Sequence, residues 1–275
     1  MTTEFDVPRD PRLVVADMDG TLLDPDGSVP DGFWPLLERM EQRGIRFVPA
    51  SGRQYYTLEA LFARVAGQIS YIAENGGLVV HEGRSQVART IDPAITEQVV
   101  RTVRGAREDG AHLDLVVCGR TGGYVEERDT DDFATESAKY YLRLSTVDDL
   151  LAVDDEILKL AVFDPVNAAD SATGFFGGLD ERCQVVVSGR NWIDMMAFGV
   201  DKGAGVRILQ EQLGVTPEQT VVFGDYLNDL QMLDAADWSY AMADGNEQVR
   251  RRARFQAPPN REQGVLTVLS AMLGD

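Results

Sequence analysis

The chain has 275 residues, room for one large domain or two modest ones, and 44% of them are apolar, enough to bury a substantial core. Its 26 lysines and arginines stand against 45 aspartates and glutamates, a net charge of −19 that argues against a nucleic-acid partner, since duplex binding needs a cationic face. Two cysteines, Cys118 and Cys183, are too few for a disulfide framework or a thiolate cage, and two histidines, His81 and His112, leave little for paired-histidine zinc sites or Ser-His-Asp triads. No apolar run nears the ~18 residues of a membrane span and the first residues lack signal-peptide features, so the expectation is a cytoplasmic protein with no membrane partner.

Residues 13–16 form a short β-branched run that stops at Asp17, the pattern of a buried strand ending at a functional loop. A helix is expected over 32–43, a strand over 45–48 leading to Ala50-Ser51-Gly52-Arg53, and a helix over 54–65. A strand over 69–73 follows, then a tight turn at Asn75-Gly76-Gly77 into a strand over 78–80. The middle of the chain has another rhythm: a helix over 93–106, strands over 113–118 and 123–127, a helix over 132–140 and a weak strand near 142–144. A helical turn at 147–152, a strand over 157–163, a helix over 167–179 and strands over 184–187 and 192–196 complete that stretch. The first rhythm returns with a helix over 202–213, a strand over 220–223 ending at Gly224-Asp225, a helix over 227–235, a strand over 238–242 and helices over 246–252 and 262–273.

Alternating strands and helices imply an α/β fold, a doubly wound, Rossmann-like parallel sheet with helices on both faces. Residues 1–84 and 197–275 are assigned to that core, and 85–196 to an inserted α+β unit. Ligands of such sheets bind beyond the carboxyl ends of the strands. Three strands here end in the polar loops Asp17-Met18-Asp19-Gly20-Thr21, Ser51-Gly52-Arg53 and Gly224-Asp225-Tyr226-Leu227-Asn228-Asp229. Brought together, they gather Asp17, Asp19, Asp225 and Asp229, four carboxylates that need a cation between them. An all-oxygen donor set of this kind suits Mg²⁺ and disfavours zinc. With Asp19 protonated, three carboxylates balance Mg²⁺ and Lys202, leaving a neutral site that admits a phosphate dianion. The Ser51 hydroxyl, the Gly52 N–H and N–H groups of the 17–20 turn are suitable donors to its oxygens.

In these residues the chain resembles the haloacid dehalogenase superfamily of phosphohydrolases, and within it the Cof-type sugar-phosphate phosphatases. The motifs are Asp17-Met18-Asp19-Gly20-Thr21, Ser51, Lys202 and Gly224-Asp225-Tyr226-Leu227-Asn228-Asp229, and the likeness spans nearly the whole chain. The insertion before Lys202 resembles the family's α/β cap, and Glu74-Asn75-Gly76-Gly77 the turn that precedes it. The resemblance implies that Asp17 is the nucleophile and that Asp19 protonates the leaving alcohol and then activates water. It implies Mg²⁺ held by the Asp17 side chain, the Asp19 carbonyl and Asp225, with Asn228 and Asp229 in support. Ser51, Gly52, Lys202 and Asn228 are then the phosphoryl ligands, and Arg53 reaches a second anionic group. One departure is Ala197-Phe198 ahead of Gly199-Val200-Asp201-Lys202, where family members often carry a proline and a basic residue.

The expected substrate is a small phosphorylated metabolite, first a sugar phosphate, acted on by a monomer or homodimer. Alternatives are a phosphatase of a phosphorylated cofactor such as flavin mononucleotide or pyridoxal phosphate, a phosphosugar mutase, or a non-catalytic phospho-receiver. Against the receiver stands Asp19, placed to discharge a phospho-enzyme. The arginine run 250–254 reads as a solvated helix face with salt bridges, and the cysteines as buried and inert.

Overall fold

A computed structural model describes residues 6–126, 131–188 and 190–274. They form two compact units. One takes the chain to Ser51, then Leu58–Gln86, and everything from Asp201 onward; the other is Gly52–Thr57 with Val87–Val200. Residues 52–57, assigned above to the core, thus group with the second unit.

In chain order the first unit supplies β1 (Leu13–Asp17), α1 (Phe33–Gln42), β2 (Arg46–Ala50), β3 (Tyr71–Ala73), β4 (Leu78–His81) and β5 (Arg84–Val87), with α2 (Tyr55–Leu61) running across the boundary between units. The second supplies α3 (Pro93–Glu108), β6 (Asp114–Gly119), β7 (Gly123–Val125), α4 (Asp131–Tyr140), β8 (Leu144–Thr146), β9 (Ile157–Phe163), α5 (Ala168–Phe176), β10 (Gln184–Val187) and β11 (Trp192–Met196). The chain then returns with α6 (Lys202–Leu213), β12 (Thr220–Gly224), α7 (Leu230–Leu233), β13 (Trp238–Met242), α8 (Glu247–Arg252), β14 (Phe255–Ala257) and α9 (Gly264–Met272).

The first unit is an eight-stranded sheet in the order β14-β13-β12-β1-β2-β3-β4-β5. Its strands from β14 to β3 are parallel, and β4 returns antiparallel to β3. Strand β1 lies in the middle and is buried along its whole length, which is why it reads as an unbroken apolar run. From β1 the chain builds outward to β2 on one side, and much later to β12 on the other. The topological switch point therefore falls between β12, β1 and β2.

The second unit is a six-stranded sheet, β10-β11-β9-β6-β7-β8, antiparallel except for the β7–β8 pair. Alternation along β9 separates its two faces. Leu160 and Val162 pack with Ile95, Val99, Val103 and Phe176 of α3 and α5, while Ala161 and Phe163 pack with Phe133, Tyr141 and Trp192.

The α/β sheet and the α+β unit expected from the sequence are both present, with local differences. Strands β5 and β14 are additional; one is almost wholly polar, the other three residues long, and both lie at sheet edges. The helix expected over 54–65 ends at Leu61 and resumes as a 3₁₀ turn, Ala63–Val65. The last helix begins two residues later than expected because Gln263 adopts a left-handed φ of 53°. Of the strand expected over 123–127, Glu127 lies outside the described residues. Both cysteines are buried and free, and Arg251, Arg252 and Arg254 pair with Glu247, Asp234 and Asp237 at the surface. Among the described residues no helix is long and apolar enough to cross a membrane.

Candidate active site

Three adjacent strands carry the site because their carboxyl ends lie side by side: Asp17 is the last residue of β1 and pairs with Ala50 at the end of β2, and Asp225 follows the last residue of β12. Asp17, Asp225 and Asp229 each offer a carboxylate oxygen, and these oxygens lie within 4.8 Å of one another. Lys202 opens α6, whose first turn is capped by Asp201 accepting from the Ala204 N–H at 2.7 Å. Its ammonium, fully buried, donates to Asp17 Oδ1 and, at 2.7 Å, to Asp229 Oδ1.

Asp229 is also fully buried, and its other oxygen accepts the backbone N–H groups of Asp225 (2.9 Å) and Tyr226 (3.1 Å). These bonds tighten the start of the helix expected over 227–235 into a 3₁₀ turn, Leu227–Asp229, before α7 begins. Thr21 donates to Asp225 Oδ1 at 3.1 Å, and the Asn246 N–H donates to the Asp225 carbonyl at 2.7 Å. The side chain of Asn260 donates to the carbonyls of Thr21 and Leu23, bracing the loop that follows β1.

Gly20 adopts a φ of 78°, and a Cβ there would stand 2.5 Å from Asp225 Oδ2, so the loop passes Asp225 only because the residue has no side chain. Asp19 stands in the same loop, just before this glycine. Met18 is buried, Asp19 is exposed, and its carboxylate is not among the three that converge. The expected quartet of carboxylates is therefore a trio.

Burial first, and then the charge of Asp229, raises the Asp17 carboxyl well above its ordinary range against the opposing pull of Lys202. The same two causes push Asp225 up to about 7. Burial alone would lower the Lys202 pKa, but the Asp17 and Asp229 carboxylates outweigh it and raise it overall. Three acids this close beside the Lys202 ammonium can ionise together only if further positive charge is supplied. With all-oxygen donors and no imidazole or thiol in the group, they could hold a hard divalent cation.

Ser51 is buried at the end of β2, its N–H donating to the Ile72 carbonyl and its own carbonyl accepting from the Asn75 N–H. Asn228 is half-buried and donates to Asn75 Oδ1 at 3.1 Å. Gly52 and Arg53 belong to the second unit. There the Arg53 guanidinium donates to the Lys139 carbonyl at 2.8 Å and lies 5.3 Å from the Tyr140 ring. Lys159 was not singled out in the sequence. It is buried in the middle of β9, 3.7 Å from Asp194, and donates to the Gly52 carbonyl at 2.7 Å.

A switch point of a doubly wound sheet that presents an aspartate on one strand end, acidic support on the next and a buried lysine between them defines a phosphoryl-transfer hydrolase. The chain belongs to the haloacid dehalogenase-like hydrolases, whose family model matches residues 14–269, and is a phosphoric monoester hydrolase. It is 31% identical over 268 residues to the Escherichia coli K12 protein YbjI, named a 5-amino-6-(5-phospho-D-ribitylamino)uracil phosphatase, covering 95% of this chain and 96% of that one. It is 25% identical over 240 residues to an HMP-PP phosphatase of Cronobacter sakazakii, covering 86% of each. Among solved structures, SMU.1108c from Streptococcus mutans superposes with a TM-score of 0.85 at 27% identity, over 96% of this chain and all of that one.

Proposed function

We propose that the protein is a Mg²⁺-dependent phosphatase that hydrolyses a small phosphorylated metabolite through an aspartyl-phosphate on Asp17. The observation that carries this reading is the buried Lys202 ammonium on the Asp17 carboxylate, with Asp225 and Asp229 converging beside it. Lys202 fixes the rotation of that carboxylate and so aims its second oxygen at phosphorus. As the Asp17–phosphorus bond forms, the bond from phosphorus to the leaving oxygen breaks, and Asp19 gives that oxygen its proton. Asp19, then ionised, takes a proton from water attacking the aspartyl-phosphate, which releases inorganic phosphate and restores Asp17. The exposure of Asp19 suits a side chain that must exchange protons with the leaving group and with water.

The carboxylates of Asp17 and Asp225 and the carbonyl of Asp19 would hold Mg²⁺. Both oxygens of Asp229 already accept protein donors, so it supports the cluster rather than ligating directly. When bound, the ion neutralises charge on the phosphoryl oxygens. Ser51, the Gly52 N–H, Lys202 and Asn228 hold those oxygens. The second unit acts as the cap that selects the leaving group, with Arg53 on its side.

For the substrate we favour a sugar or sugar-alcohol phosphate, because the relative at 31% identity is named for a substrate with a phosphorylated ribityl group. The test is release of inorganic phosphate across sugar phosphates, nucleotides and phosphorylated cofactors, with Mg²⁺ and with a chelator. The reading expects release that needs Mg²⁺ and is strongest on a polyol phosphate. Undiminished release in chelator overturns the metal assignment, and a product that retains the phosphoryl group replaces the phosphatase with a mutase.

A further inference from the structure

Within the first unit, the turn Glu74-Asn75-Gly76 is strained and buried at the same time. Its three residues all adopt left-handed φ angles of 50°, 54° and 94°, and Glu74 and Asn75 are almost completely buried. A left-handed glutamate is strained, and such strain persists only where the surroundings impose it.

The path is held by a set of bonds to the neighbouring strand ends. The Asn75 N–H donates to the Ser51 carbonyl at 3.0 Å, and the Asn75 side-chain oxygen accepts from Asn228 at 3.1 Å. One residue thereby joins two groups that the proposed function assigns to the phosphoryl oxygens, one after β2 and one after β12. Gly76 packs against the carbonyl of Asp201, where a Cβ would come to 2.1 Å, and so backs the residue that caps the helix opened by Lys202. Asparagine suits position 75 doubly. It tolerates the left-handed region better than other residues with a Cβ, and its short amide offers an acceptor at the right reach.

We infer that Asn75 is a positioning residue for phosphoryl binding, acting through Asn228. An Asn228 amide held by one N–H has its plane fixed, and its second N–H is then directed rather than free to rotate. Asn75 needs no contact with the substrate to do this. The inference rests on the proposed function, because it takes Asn228 as a phosphoryl ligand.

Asn75→Gly tests it, since glycine keeps the left-handed backbone and the N–H to Ser51 while removing the side-chain link to Asn228. The variant is compared with Asn228→Ala and with the double variant in the full-length protein with Mg²⁺. The readouts are kcat and KM for p-nitrophenyl phosphate, the inhibition constant of inorganic phosphate and the thermal midpoint. Expected for Asn75→Gly are rises of about tenfold in KM and in the phosphate inhibition constant, with kcat falling less than about threefold, the pattern of lost uniform binding. In the Asn228→Ala background the same change should add almost nothing, because the two residues act in series. Fully additive effects, or unchanged KM and phosphate inhibition beside an impaired Asn228→Ala, overturn the inference and leave the proposed function standing. If Asn228→Ala is itself indistinguishable from the parent, the assignment of Asn228 fails and the inference falls with it. A lower thermal midpoint and kcat with KM unchanged assigns Asn75 a purely structural role and also overturns it.

Discussion

Both units bury lysine with aspartate, and they do so in different ways. In the first unit Lys202 stands at a helix start and touches two carboxylates beyond the ends of parallel strands, with a third carboxylate nearby. In the second, Lys159 and Asp194 lie mid-strand on neighbouring antiparallel strands β9 and β11, one ammonium beside one carboxylate, with the Gly52 carbonyl as a further acceptor. The second arrangement sets an ammonium beside a carboxylate within a sheet, away from any strand end. The first sets three carboxylates against that ammonium at a place where strands end, so their full ionisation calls for another cation. Burial of charge alone does not mark chemistry; an imbalance at a strand end does.

The comparison is tested most severely at Asp17. Asp17→Asn should lower hydrolysis of an aryl phosphate at least about ten-thousandfold with the circular dichroism spectrum unchanged, as expected for loss of a nucleophile. Substantial residual turnover removes the chemical meaning of the open cluster.

The two lysines give the next contrast. Lys202→Met should cut turnover about a thousandfold, as for loss of a major electrostatic contact to the reacting group. Lys159→Met breaks a buried ion pair and should cost about 3–5 kcal/mol in denaturant melts, while turnover by the folded fraction falls less than about tenfold. Equal kinetic damage from both erases the distinction between the strand-end cluster and the mid-strand pair.

Proton linkage sharpens it further. In the folded, metal-free protein Asp225 titrates at about 7 and Asp17 lies well above the carboxylate range, whereas both ionise near about 4 once unfolded. The folded state therefore holds protons that the unfolded chain has released, and its stability falls as pH rises from about 4 through about 7. The thermal midpoint in chelator should drop by several degrees between about pH 5.5 and pH 8, and Mg²⁺ should raise it more at the higher pH. A midpoint that climbs over this interval contradicts the crowding of these carboxylates. The smallest effect belongs to the second unit: Asn167, which caps α5 by accepting from the Ala169 and Asp170 N–H groups, should cost about 1 kcal/mol on change to alanine and leave phosphate release untouched.

The same contrast explains what could be read from residues alone. Asp17, Ser51 and Asp225 were legible because each follows a short, mostly apolar strand, so a change of pattern marks the place. Lys202 has the chemistry of an ordinary helix-start lysine, and nothing local reveals that its ammonium is fully enclosed. Lys159 and Asp194 read as interruptions of apolar strands, because their partners lie on a neighbouring strand and in a distant loop. Asp19 shares its motif with Asp17, yet Asp17 is buried and Asp19 exposed, a difference of surroundings that spacing does not encode. Strands β5 and β14 take their order from pairing at a sheet edge, and so left no hydrophobic signature.

Gly20 sets a limit on how this protein can be altered. Any replacement must find room where an Asp225 oxygen already sits, in a backbone conformation hostile to side chains. Saturation at that position would consequently return only glycine, while Gly27, four residues past Leu23, has open space around it and only its φ to respect.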